Sequence, residues 1–165
     1  ICHMAKKPAK KHENWLILIA FIIACNLAGA VGAVFTLEAI PNWYAGLQKP
    51  SFAPPNWVFG PVWTALYILM GVSAYFAWKQ GSKAAFALKI FGVQLFLNAL
   101  WSFLFFGMRS PALGFAGIVP LWLSIAYCIK LFWPLDRRAA YLLLPYIAWV
   151  SFASLLNLAI WMLNG

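Results

Sequence analysis

Acid is nearly missing from this 165-residue chain. Asp and Glu together number three, and Glu13, Glu38 and Asp136 all stand at the ends of apolar runs or between them. Histidine is confined to His3 and His12, ahead of the first run. No carboxylate or imidazole therefore falls in mid-run, where proton-coupled pumps and ion transporters place such groups, and general acid–base hydrolysis lacks its side chains. Cysteine is scarce too. Cys2, Cys25 and Cys128 make no CxxC pair, so neither a metal site nor a disulfide framework is indicated. Charge of either sign amounts to 9% of residues against 65% hydrophobic, a balance too apolar for a soluble domain of this length.

What is present is long hydrophobic runs. Crossing a bilayer core as a helix takes roughly 20 apolar residues, and five stretches meet that: Trp15 to Leu37, Trp57 to Lys79, Ala84 to Phe106, Ala112 to Trp133 and Ala140 to Leu163. The expected fold is an all-α integral membrane protein, a single bundle of five transmembrane helices over residues 15–165 behind a basic tail at 1–14. The first run is longer than a signal-peptide core of roughly 7 to 15 residues, so no cleaved leader is expected. Ile1, Cys2 and His3 ahead of Met4 read as a cloning remnant.

The net charge of +9 suggests nucleic acid until its placement is considered. Lys6, Lys7, Lys10, Lys11, Lys79, Lys83, Lys89, Lys130, Arg137 and Arg138 fall on one side of a five-helix trace, and only Lys49 and Arg109 on the other. The positive-inside rule puts the N-terminus and the second and fourth connections in the cytoplasm and the first connection outside. Lipid headgroups are a secondary partner for that basic side; nucleic acid is not expected.

Ala20, Ala24, Ala28 and Gly32 recur every four residues, a smooth stripe expected to pack inside the bundle, with a homodimer seam as the alternative. Ala112 and Ala116, flanked by Gly114 and Gly117, offer a second seam. Pro120 and Pro145 should bend their helices, and Trp15, Trp57, Trp78, Trp133 and Tyr141 suit interfacial anchoring. Inside the runs, Gln94, Asn98 and Trp101 follow one another by about a turn, and Trp149 precedes Asn157 by two. Asn98 and Asn157 either bond across helices or serve an apolar, aromatic pocket with a few placed polar groups, walled by Trp63, Trp101 and Trp149. Both readings stand.

The stretches WYAGLQKPSFAPPNWVFGPVW, QLFLNALWSFLFFG and PYIAWVSFASLLN closely resemble the TspO/MBR family, the translocator proteins also called peripheral-type benzodiazepine receptors, over all five helices. The resemblance implies a five-helix bundle, often dimeric, whose first loop folds over a cavity among the helices. Pro50, Pro54 and Pro55 would stiffen that lid, Trp43, Tyr44 and Leu47 would cover the cavity, and Lys49 would meet an anionic ligand edge. Trp63, Asn98, Trp101, Tyr146, Trp149 and Ala153 are the implied ligand-binding positions. Phe52 replaces a tryptophan of the family's KPSW, and Leu158 and Met162 stand where animal members carry the tyrosine and arginine of a cholesterol-recognition pattern, a weak type of motif even when intact.

Implied functions are binding of porphyrins (protoporphyrin IX, haem) and other flat hydrophobic ligands by a receptor or translocator, with sterol transport put in doubt by the broken pattern. The competing class is an enzyme for light-dependent oxidative breakdown of protoporphyrin IX. There the porphyrin is its own chromophore and Trp63 and Trp149 are redox participants. A structural stress-response protein acting through partners is a third expectation. No resident cofactor is required. The host is expected to be a bacterial cytoplasmic membrane, or the mitochondrial outer membrane if the source is eukaryotic.

Overall fold

The computed structural model describes residues 11–165, with side chains from Asn14 onward; the basic tail, with Lys6, Lys7 and Lys10, lies outside the described residues. The chain folds as helices α1 (Lys11–Ala39), α2 (Phe59–Trp78), α3 (Ala85–Ser102), α4 (Pro111–Phe132), α5 (Arg137–Leu142) and α6 (Leu144–Asn164), with no strand among the described residues. With the turns that extend them they make five spans, Asn14–Ala39, Asn56–Trp78, Gly81–Gly107, Pro111–Phe132 and Arg137–Asn164, each 22 to 28 residues long. At 1.5 Å per residue all of them reach across a hydrocarbon core of about 30 Å.

The two internal prolines behave differently. Pro145 has no N–H to give Tyr141, so the fifth span breaks at Leu143, whose N–H turns to the Ala140 carbonyl at 3.1 Å before Ile147 resumes the ladder on Leu143 at 3.0 Å. Pro120 sits within α4 without interrupting it. The third span ends in a widened π turn over Phe103–Gly107, where Met108 N–H reaches the Phe103 carbonyl at 2.8 Å. The extra residue re-aims the helix face, and Phe105 and Phe106 both point into the core.

Around the bundle α1 lies between α2 and α3, α3 beside α4, and α4 beside α6, while α5 closes the ring on α2. Lipid offers helices no hydrophobic drive toward one another, so close packing and interhelical hydrogen bonds must hold them. Gly71 lets the backbone of Ile22 approach until a Cβ would collide, and Gly29 receives the Tyr67 ring. The small-residue stripe packs only in its second half: Ala20 and Ala24 are exposed, Ala28 is half-buried, and Gly32 is buried, as is Cys25. On α4 the glycines pack inward instead, Gly114 against Phe105 and Asn157 and Gly117 against Leu104. Trp15, Trp57, Trp133 and Tyr141 stand exposed near span ends, and Trp78 is half-covered.

Candidate functional site

The connection between α1 and α2 is short of regular structure but tightly fixed. Lys49 donates from Nζ to the carbonyls of Tyr44 at 2.9 Å, Leu47 at 3.2 Å and Ala45 at 3.4 Å, and lies 4.8 Å over the Tyr44 ring. Its charge is thus spent on the loop's own turn. The proline-rich half adds two turns, Ala53 N–H to the Pro50 carbonyl at 3.1 Å and Val58 N–H to Pro55 at 3.0 Å, with Pro54 between them. Asn164, at the end of α6, pairs with the Gln48 peptide in both directions: Gln48 N–H donates to Oδ1 at 3.0 Å, and Nδ2 donates to the Gln48 carbonyl at 2.9 Å. Trp43 lies edge-on to Phe105 at 5.5 Å, and Phe52 edge-on to Phe152 at 6.2 Å. Leu47 and Trp43 face an outer recess beside Trp161.

Beneath the loop Tyr44 reaches down into an aromatic chamber and is buried there, against Phe59, Phe105 and Phe106. Trp101, Ala153 and Asn157 complete its walls, and the space left is about 20 Å³, little more than one water needs. Two polar groups are buried in this region without any partner, the Tyr44 hydroxyl and the Trp149 indole N–H. Both belong to rings packed edge-on to Phe59, at 6.4 Å and 6.1 Å. Burial pushes the Tyr44 phenol above its ordinary range, so it stays a neutral hydroxyl. An orphaned buried donor costs about 1 to 3 kcal/mol, and two beside one ring are a standing demand for acceptors.

Phe59 also borders a cavity of about 680 Å³ between α1 and α2, well within the range of small-molecule sites. Trp63 forms its inner wall, stacked on Tyr67 at 5.7 Å and 6.0 Å from Trp101. Its α1 wall is Gly32, Ala33 and Thr36. The Thr36 and Thr64 hydroxyls turn back onto the Gly32 and Gly60 carbonyls at 3.0 Å and 2.9 Å.

Asn98 lines neither space. Its Oδ1 accepts from Tyr67 at 2.6 Å, its Nδ2 donates to Tyr146 Oη at 2.8 Å, and Tyr146 donates onward to Gln94 Oε1 at 2.8 Å. This chain stitches α2, α3 and α6 together at full burial. Asn157 acts likewise, accepting from Trp101 Nε1 at 3.2 Å and donating to the Pro111 carbonyl at 2.7 Å. The structure therefore gathers Tyr44, Trp101 and Ala153 around the chamber, packs Trp149 against Phe59 beside it, puts Trp63 on the cavity, sets Asn98 and Tyr146 in the network behind them, and keeps Trp43, Leu47 and Lys49 in the loop. Sequence reasoning missed Phe59, Tyr67 and the α1 wall. The available signal was polarity: Thr36 and Ser102 are hydroxyls inside apolar runs, and both border the cavity.

The sequence model of the TspO/MBR family matches residues 21–162. A tryptophan-rich protein TspO from Archaeoglobus fulgidus is 45% identical over 92% of this chain and 99% of its own length. The protein CrtK of Rhodobacter capsulatus is 39% identical over 90% of this chain and 92% of its own. The human translocator protein is 37% identical over 89% of each. Five apolar spans and a match of this extent make the chain a multi-pass integral membrane protein and a member of the TspO/MBR family.

Proposed function

We propose that this protein is a receptor or translocator that binds porphyrins such as protoporphyrin IX and haem, and other flat hydrophobic molecules, in the chamber beneath the first loop. The observation that carries the reading is the pair of buried donors without a partner among the described residues, Tyr44 Oη and Trp149 Nε1, on two rings packed against Phe59 beside a mostly aromatic and aliphatic enclosure. A flat π system lies against Trp63 and Trp101, and its acceptors meet those donors once Phe59 and Tyr44 turn aside. Asn98 and Tyr146 act behind the wall, through Tyr67. The names of the translocator proteins and of a tryptophan-rich sensory protein at 36% identity agree with a transport or sensing role. No resident cofactor is needed. Sterol is a lesser candidate, since Leu158 and Met162 lack the polar pair expected for it. A homodimer and an N-terminus in the cytoplasm of a bacterial host complete the proposal. Titration with protoporphyrin IX, followed by tryptophan emission, tests it: saturable one-to-one quenching supports the reading, and quenching that never saturates sinks it.

A photo-oxidative enzyme is the second reading, favoured by the run of indoles and phenol rings from Tyr67 through Trp63 to Trp101 beside the cavity. Light-dependent loss of porphyrin absorbance that falls in Trp63→Phe and Trp149→Phe, at equal occupancy, would support it over simple binding.

A further inference from the structure

We infer that the ligand enters and leaves sideways, from within the bilayer, through a portal between α1 and α2 whose inner door is Phe59. The inference rests on the binding reading above and names its substrate class: molecules already dissolved in the membrane. The two helices touch at Ile22–Gly71 and Gly29–Tyr67, and the cavity is a wedge between them that runs from that contact to Pro41 and Asn56 at the loop end. Leu37 and Trp57, at its mouth, are each 74% exposed. Leu37 and Gly60 both lie within the spans, and Gly32 is seven residues below Ala39, about 10 Å inside the end of the first span. Ala30 and Thr64 also line the cavity, stand exposed, and lie nine and eight residues inside the ends of their spans, about 12 Å or more deep, so the open side of the wedge runs down to the level of lipid tails. Its threonine hydroxyls are already bonded to their own helices, and apart from Asn26, Asn56 and Ser102 the rest of the lining is apolar, which suits a greasy molecule.

One side chain, Phe59, is shared between the wedge and the chamber. It is only half-buried and is held by edge-on ring contacts. The route through the loop is far more obstructed: it requires parting the Asn164–Gln48 pair, releasing Lys49 from three carbonyls and withdrawing the buried Tyr44. The lateral route turns the Phe59 and Tyr44 rings and leaves the loop's own bonds in place, which is the smaller rearrangement.

Gly60 supplies a test with little cost to the fold, because a Cβ there meets nothing within 4 Å, and the same is true of Gly92, on α3 and outside the cavity. The protein is reconstituted in phosphatidylcholine vesicles, and protoporphyrin IX binding is followed by stopped-flow tryptophan quenching and by equilibrium titration. Gly60→Leu should slow association at least fivefold while Kd moves less than twofold, Gly92→Leu should match the unmodified protein, and Phe59→Ala should associate faster. Association no slower in Gly60→Leu than in Gly92→Leu overturns the portal. So does faster association in Asn164→Ala, which frees the loop, or a Kd in Gly60→Leu that weakens as much as the rate falls, which would make the wedge the binding site itself. Absence of saturable quenching in the unmodified protein is a separate result and defeats the binding reading.

Discussion

Tyr44 and Trp149 are the residues at which folding and function pull in opposite directions. Each buries a donor that nothing accepts, so removing the donor should relieve a strain of about 1 to 3 kcal/mol. Tyr44→Phe is expected to raise the melting temperature of the unliganded protein and to weaken porphyrin affinity; melting and titration in the same detergent give both, and a fall in both would mean the hydroxyl has a partner when the protein is folded. Asn98 is the opposite case. Asn98→Leu strands the Tyr67 hydroxyl and leaves Tyr146 with its bond to Gln94 alone, and should destabilise the bundle by about 2 kcal/mol whether or not ligand is present. A variant that melts normally but fails to bind would move Asn98 into direct ligand contact. The sequence could name Asn98 but not its partners, because Tyr67 and Tyr146 lie 31 and 48 residues away along the chain and no local periodicity joins them.

Among the elements, the first loop is held by contacts of different reach. Pro50, Pro54 and Pro55 restrict it locally, and replacing all three by alanine raises the entropy lost on ordering, by about 0.4 to 1 kcal/mol at each site. Affinity should drop while the helical circular dichroism stays as it was; equal affinity would show that the loop does not close over ligand. At the opposite end of the bundle, Asp136 starts α5, accepting the Arg138 N–H at 2.9 Å and its guanidinium at 2.8 and 3.1 Å. Those bonds, the side-chain one foremost, hold its carboxyl below the usual range. A carboxylate lowered on folding stabilises at pH above its unfolded value of about 3.9 and loses that contribution as pH falls through the folded value. Melting temperature should therefore fall on acidification through the carboxylate range by less in Asp136→Asn, which keeps a capping side chain, than in the unmodified protein. The elements themselves were legible, all five spans falling within a few residues of the apolar runs. The α1 wall was not: a repeat of small residues marks where a close approach can be made, and both Ala20–Ala24 and Gly29–Gly32 qualify until a neighbouring helix chooses.

For the whole molecule, the described basic residues Lys79, Lys83, Lys89, Lys130, Arg137 and Arg138 gather at the end of the bundle away from the first loop, where only Lys49 and Arg109 lie. In intact cells a cysteine placed at Ala45 should react with an impermeant thiol reagent added outside, and one at Ser82 should not. Cys25 and Cys128 are buried and give a low background, and reversed labelling would turn the molecule over. The same global view gives the Asn164–Gln48 pair another meaning. Its partners are 116 residues apart, so during synthesis the first loop leaves the ribosome long before the residue that fastens it. Until the fifth span has been made and inserted, the loop has no clasp, and a chain arrested after four spans presents it unfastened. Closure of this loop is thus a signature of completed assembly, one that a protease directed at the loop could read as the difference between a finished molecule and an abandoned one.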